Sequence, residues 1–537
     1  VDILDAPVEP QRRDPRRWWA LAGLTLAVLA VGIDGTVLSV ALPTLATALK
    51  ASESQLQWFT SGYFLVLAAA MLPAGLLGDR FGRRRLLVVA LVLFAGGSAL
   101  CAYSGSAAVF IAARVILGIG GAAVVVMAMS SLAIVFDEEE RPKAVGVWAA
   151  ANFVSMPIGP ILGGWLLSHY WWGWVFLLNV PVALLGLLAA RLLLPESHAP
   201  RRPTFDATGL MLAVGGLVAA TYGCIQAGTD GWGSGLVLGL LALGVVLLVG
   251  FALWERAVVR RGATPLIDPE LFRSPAYCWG VILAVVVVLA MIGVMFTLPQ
   301  YFQGVLGTDA MGSGLRLLPL IGGMTIGAVP AAVVGRAIGM GRASALGFLV
   351  LAAALFVGTR TGAGSQTFVL LWTAGAGAGV GLAMATSASA ALSQLGAEQS
   401  GIGSAAMQAL NKLGGPFGSA VMGSVLSAGY LGRLVLGGVP AAAVPAVRRS
   451  VFGGVAVAQH LHSPVLLDSV RRAFTHGMDA ALVVSGAVAV VGAVLSWLFL
   501  PNRLGARSAA ALADTGAGPV VGEAAAALLR APGATGA

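Results

Sequence analysis

The chain has 537 residues, 58% of them hydrophobic and only 10% charged. A soluble globular domain carries roughly 25% charged residues, so an ordinary soluble enzyme is excluded. The net charge of +9 would suit nucleic acid, but the basic residues lie in the short segments between apolar runs, which excludes a nucleic-acid face. Three scattered cysteines (Cys101, Cys224 and Cys278) exclude a disulfide framework.

Apolar runs of about 20 residues recur, each long enough to cross a ~30 Å hydrocarbon core, without the two-residue alternation of barrel strands. In chain order the predicted spans are 18–41, 57–78, 86–104, 108–133, 143–167, 174–194, 206–226, 235–256, 277–299, 312–334, 342–359, 367–393, 401–428 and 479–500, fourteen in all. With the N-terminus in the cytoplasm, inner segments and helix ends hold 22 of the 32 Lys and Arg, while short outer loops hold Lys50 and Arg360 alone. This asymmetry places both termini in the cytoplasm; the five basic residues of the long outer segment 429–478 carry little topological weight. Four arginines precede the first span, but it is too long for a signal peptide and no small-residue cleavage site closes it, so a retained helix is expected. Arginine supplies 29 of the 32 basic residues, which points to a GC-rich bacterial genome and hence to the bacterial cytoplasmic membrane.

The first span contains one carboxylate, Asp34, within "LAVLAVGIDGTVLSVALP". An ionised aspartate at the centre of a membrane helix costs about 2.5–3.5 kcal/mol. Asp34 lies seven residues before the outer end of span 1, and Arg114 six residues after the outer start of span 4. At about 1.5 Å per residue both sit roughly 10 Å below the outer surface, where opposite charges are natural partners. Arginine stays charged while a dehydrated aspartate can take a proton, so the pair can load and release one proton, with a cationic substrate as competitor.

The loop after span 2 reads "GLLGDRFGRRR" (75–85) and is echoed after span 10 by "VGRAIGMGR" (334–342); "GPILGG" (159–164) in span 5 is echoed by "GPFGS" (415–419) in span 13. Both echoes align spans 1–6 with spans 9–14 and leave two spans between them, as internal repeats do in transporters. The expected domains are a cytoplasmic segment 1–17, a six-helix bundle 18–194, a linker with a two-helix insert 195–276, a second six-helix bundle 277–500 carrying the outer loop 429–478, and a cytoplasmic tail 501–537. No metal-ligand cluster or P-loop is found in the sequence, so no cofactor is expected and ATP is not expected as the energy source. Tyr63, Asn152, Met156, Met295, Phe296, Met407, Gln408 and Asn411 combine apolar and sparse polar surface suited to a greasy pocket.

In "GLLGDRFGRRR", Gly75, Gly78, Asp79, Arg80, Gly82 and Arg83 resemble the signature loop of the major facilitator superfamily. That resemblance implies that Asp79 caps a helix of the opposite half and pairs with Arg83, latching one conformation. Gly159, Pro160, Gly163 and Gly164 resemble the antiporter motif of the superfamily's exporters. "WWGWVFLLNVPV" (171–182), "FDATGL" (205–210), "PLIDPELF" (265–272) and "GIGSAAMQALNKLGGPFGSA" (401–420) resemble its fourteen-helix drug:proton antiporter branch. Ser39, Leu117 and Gly173 depart from the residues usual there, and Lys412 stands where the branch often has arginine.

The expected protein is an all-α polytopic exporter of two six-helix bundles plus two inserted helices. The resemblance implies proton-coupled antiport of hydrophobic drug-like compounds or antibiotics, cationic ones included, by a monomer in the lipid bilayer. Alternatives are a dedicated single-metabolite exporter or importer, a passive channel, or a membrane-embedded enzyme. The enzyme reading lacks clustered nucleophiles or metal ligands at membrane depth.

Overall fold

The computed structural model of the chain describes residues 16–136, 140–197, 206–263, 265–266, 269–361, 366–393 and 406–502. Among these every regular element is helical. The first group comprises α1 (Arg16–Ala48), α2 (Glu53–Phe81), α3 (Arg83–Ala102), α4 (Ala107–Val135), α5 (Arg141–His169), α6 (Trp174–Leu177) and α7 (Asn179–Leu193). A hairpin of α8 (Ala207–Asp230) and α9 (Gly235–Arg260) follows. The second group begins with α10 (Pro275–Gln300), which runs into a π-helical turn (Tyr301–Val305). It continues through α11 (Ala310–Arg316), α12 (Leu318–Ala328), α13 (Ala331–Ile338), α14 (Met340–Gly358) and α15 (Gln366–Leu392). It closes with α16 (406–411), α17 (Gly414–Arg433), α18 (Val444–Arg449), α19 (Val451–His460) and α20 (Pro464–Phe499).

Ten of these helices are long and apolar enough to cross a membrane, and two bent pairs bring the number to twelve. The other two predicted spans correspond to α5 and α17, which lie outside that length-and-composition test but pack along spanning neighbours, α5 on α1 and α17 on α10 and α20. α9 leaves Leu236, Leu243, Val245, Val246, Val249 and Leu253 exposed. A contiguous apolar face of this kind marks a surface that meets lipid.

Local chemistry sets the helix ends. Ser52 and Gln55 form a reciprocal capping box at α2, and Asp206 accepts from Gly209 N–H at 2.9 Å to start α8 while Trp254 of α9 donates to the same carboxylate at 2.9 Å. The turn between α2 and α3 is Gly82 alone, at φ 109°, and that between α13 and α14 is Gly339, at φ 92°. Side chains rarely adopt either conformation. The parallel extends further back. Pro73 and Pro330 stand at the kinks of the two preceding spans, which bend by 46° and 45°, and Gly78 and Gly335 each face a methionine (Met127 and Met340) at a distance that leaves no room for a Cβ. Proline, glycine and glycine therefore recur at identical spacing in both groups.

The end of the chain differs from the sequence expectation. The predicted outer loop 429–478 is largely helical: α17 runs to Arg433 and α20 begins at Pro464, well before the expected 479. The polar residues Asp468, Arg471 and Arg472 disguise this turn-rich-looking stretch, yet Ser463 caps α20, Pro464 occupies its first turn, and Asp468 pairs with Arg472 one turn on. Between the two helices, α18 and α19 fold back, with Tyr430 donating to Val447 O at 2.7 Å and α19 lying against α20, the π-turn and α1.

Candidate functional site

Asp34 and Arg114, placed at equal depth by the sequence, meet in the structure. Both side chains are fully buried, and Arg114 Nη1 donates to Asp34 Oδ2 at 2.6 Å. Asn179 Nδ2 donates to the other carboxylate oxygen at 3.1 Å and reaches Ser98 Oγ at 3.3 Å. Arg114 Nε donates to Phe59 O at 3.1 Å, and its guanidinium stacks 4.0 Å from the centre of the Tyr63 ring. Tyr63 is itself held by its hydroxyl donating to Val31 O at 3.2 Å. Four helices (α1, α2, α4 and α7) thus converge on one ion pair. Arg114 Nη2 is buried without a partner, so the pair retains an unused donor.

Asn179 is the member that sequence reasoning missed. Its signal was a single amide inside the apolar sixth span, quoted only as part of a longer motif. Ser39 and Leu117, the two departures within the helices of this site, make other contacts: Ser39 Oγ donates to Thr36 O at 2.7 Å, and Leu117 is buried against Gly97 of α3.

Next to the pair lies a cavity of about 470 Å³ between the two helix groups. Of the predicted pocket residues, Tyr63, Gln408 and Asn411 line it, together with Phe64, Ser155 and Lys412. Tyr63 serves both places: one side of α2 offers its ring to Arg114 and to the cavity. Met295 and Phe296 border a small adjoining pocket with Ser39 and Thr60, which shares Gly35, Thr36, Phe64, Met291 and Ile292 with the cavity wall. Met407 is buried against Leu271, Tyr277 and Val281, away from the cavity. Apolar side chains in a membrane carry no signal of which face is internal, which is why the sequence does not separate these three from the residues of the cavity wall. The side chains of Asn152 and Met156 lie outside the described residues, as does 401–405 of the thirteenth-span motif.

The two groups meet tightly at the end of the bundle that carries Lys50. Gln300 Nε2 donates to Glu53 Oε1 at 3.3 Å, both side chains being buried; Gln303 Nε2 donates to Val40 O at 3.1 Å. Ser61 and Ser419 hydroxyls lie 2.7 Å apart. In the antiporter motif, Gly159 and Gly163 admit Thr36 and Val37 of α1, and Gly164 admits the backbone of Ala310 and Met311 of α11. A side chain at Gly164 would hold the groups apart at this seam.

At the opposite end, Arg83 Nε and Nη2 donate to Asp79 Oδ1 at 2.9 and 2.8 Å, across the Gly82 turn. The predicted pairing is therefore present. Among the described residues Asp79 makes no bond to the second group, so the expected cap on an opposite helix is not formed in this conformation. Arg84 and Arg85 face Glu196 at 3.6 Å, and Arg80 lies over Phe81.

Comparison with known proteins places the fold in a family. The family model of the Major Facilitator Superfamily matches residues 24–419. The chain is 34% identical over 495 residues to the tetracenomycin C resistance and export protein of Streptomyces glaucescens, covering 90% of this chain and 91% of that one. It is 34% identical over 509 residues to the multidrug efflux pump LfrA of Mycolicibacterium smegmatis, covering 90% and 97%, and 31% identical over 495 residues to the methyl viologen resistance protein SmvA of Salmonella typhimurium, covering 90% and 98%. Among solved structures, a bacterial homologue of the lysosomal transporter Spinster, inward-facing and occupied, superposes with a TM-score of 0.66 at 16% identity over 91% of this chain and 98% of that one; a D-xylose–proton symporter gives 0.56 at 16%, over 90% and 98%. The family match over most of the sequence, the full-length relatives and the shared architecture establish that the chain belongs to the Major Facilitator Superfamily.

Proposed function

We propose that the protein exports hydrophobic, drug-like compounds across the bacterial cytoplasmic membrane in exchange for protons. Similarity along the full chain to relatives named for resistance and export supports the direction. The observation that carries the mechanism is the buried Asp34–Arg114 pair, separated from the cavity by the Tyr63 ring. The carboxylate lies where a rearrangement of α1 against α4 would exchange its arginine partner for a proton. Asn179 holds one carboxylate oxygen through that exchange, which keeps Asp34 oriented. Binding energy from the substrate in the cavity and from the proton on Asp34 then favours opposite arrangements of the two groups, which is the condition for antiport. In this reading α5 and α17 complete fourteen spans, the Lys50 end faces outward, both termini are cytoplasmic, and the monomer works without a cofactor.

The test uses inverted membrane vesicles with an imposed proton gradient, read by a quenched acridine dye while a panel of hydrophobic compounds is added. Wild-type protein should release protons on addition of a substrate, and a protonophore should abolish the response. Asp34→Asn should give the response of empty vesicles while inserting normally. An undiminished response from Asp34→Asn removes that residue from the coupling; substrate flux indifferent to the protonophore identifies a channel.

A further inference from the structure

The cavity wall carries one formal charge among the described residues, and it is positive. Lys412 stands at the break between α16 and α17, half-buried, one residue after Asn411 and four after Gln408, all three in the lining. Its ammonium has no ion-pair partner among the described residues. Asn411 Oδ1 is buried with no hydrogen-bond donor directed at it. Asp34, the acid of the buried pair, is absent from the lining, fully buried and already held by Arg114 and Asn179. The rest of the wall is mostly apolar, including Phe64, Val287, Met291, Met324 and Met384, with Thr36, Tyr63 and Ser155 as its uncharged polar members.

A solitary cation in such surroundings repels ligand cations, and it lowers its own cost either by giving up its proton or by meeting an anion, which holds the proton in place. Resting on the proposed export through this cavity, we infer that it takes amphiphilic monoanions: a ring system or aliphatic body bearing one carboxylate, phenolate or enolate oxygen. That oxygen accepts from Lys412 Nζ, a hydroxyl or amide N–H on the same molecule donates to Asn411 Oδ1, and the body lies against the methionines and Phe64. Methionine's flexible thioether adapts to bodies of different outline, so the wall selects by charge more strongly than by shape. The cationic substrates expected from the sequence are thereby disfavoured, because the acid meant to hold them is not exposed to the cavity.

The test is a matched set of fluorescent probes with one body and three charges: pyrenebutyrate, its primary amide, and pyrenylbutyl-trimethylammonium. Each is titrated against the full chain in phosphatidylcholine nanodiscs. Wild type should bind the anion about tenfold more tightly than the cation, with the amide between. Lys412→Met should bring the three within about twofold, and Lys412→Arg should keep the preference; thermal melting of each variant checks folding. Equal or tighter binding of the cation by wild type overturns the inference, as does a preference that survives in Lys412→Met. Proteoliposomes with a pH gradient separate this from the export reading: a binding preference that persists while no probe moves upholds the site and refutes export.

Discussion

The two loops that follow the second span of each half share a backbone and differ in charge. Pro73, Gly78 and Gly82 recur as Pro330, Gly335 and Gly339, with the same bend, the same close approach to a methionine and the same positive φ. Yet Asp79 is matched by Arg336, so the ion pair across Gly82 has no counterpart across Gly339. The buried chemistry is divided in the same uneven way: the carboxylate–guanidinium pair belongs to the first half, and the lone ammonium in the cavity to the second. Backbone devices have been kept in both halves because both must turn sharply between membrane helices.

Substitutions can break this comparison. The largest effect is expected from Arg114→Met, which leaves Asp34 buried without its partner and should cost about 3–5 kcal/mol, read as lost folded protein in fluorescence-detected size exclusion. The double variant with Asp34→Asn should recover most of that yield. Lys412→Met, in the other half, should fold as well as wild type; poor folding would mean that the ammonium has a structural partner. Next come Gly82→Ala and Gly339→Ala, each expected to lower thermal stability by about 1–3 kcal/mol through the strained φ. A loss at only one of them would show that the repeated glycine is a coincidence of sequence. Tyr63→Phe removes the hydroxyl bond to Val31 and should cost about 1 kcal/mol, with the ring still covering Arg114. Asp79→Asn should alter stability least, by under about 1 kcal/mol for a partly exposed pair, while slowing transport severalfold in the vesicle assay; Arg336→Gln should do neither.

Depth along a helix was legible in the sequence, and facing was not. Counting residues from the predicted span ends put Asp34 and Arg114 on one level, and the structure joins them at 2.6 Å. A charge in an apolar run announces itself by its cost. Asn179 and Ser98 complete the same site without announcing anything, since a single amide or hydroxyl is affordable in a helix that satisfies its own backbone. The glycine echoes showed the repeat, but the matching prolines took their meaning from the observed bends. Glu53 lies before the predicted span 57–78, and only the approach of α10 reveals it as a buried contact to Gln300. The stretch before α20 read as loop because its polar face hid a helix that the capping Ser463 begins.

The hairpin of α8 and α9 lies across the boundary between the halves, with α8 packed on α2 from one and on α17 from the other. Gly228 brings it to van der Waals range of Ser424, and Cys224 and Ile225 rest on Ala420. Any rocking of the halves must therefore shear along this strap, whose small residues offer little to catch. Because the strap bridges α2 and α17, the two halves share a third surface that must stay packed in every arrangement they adopt.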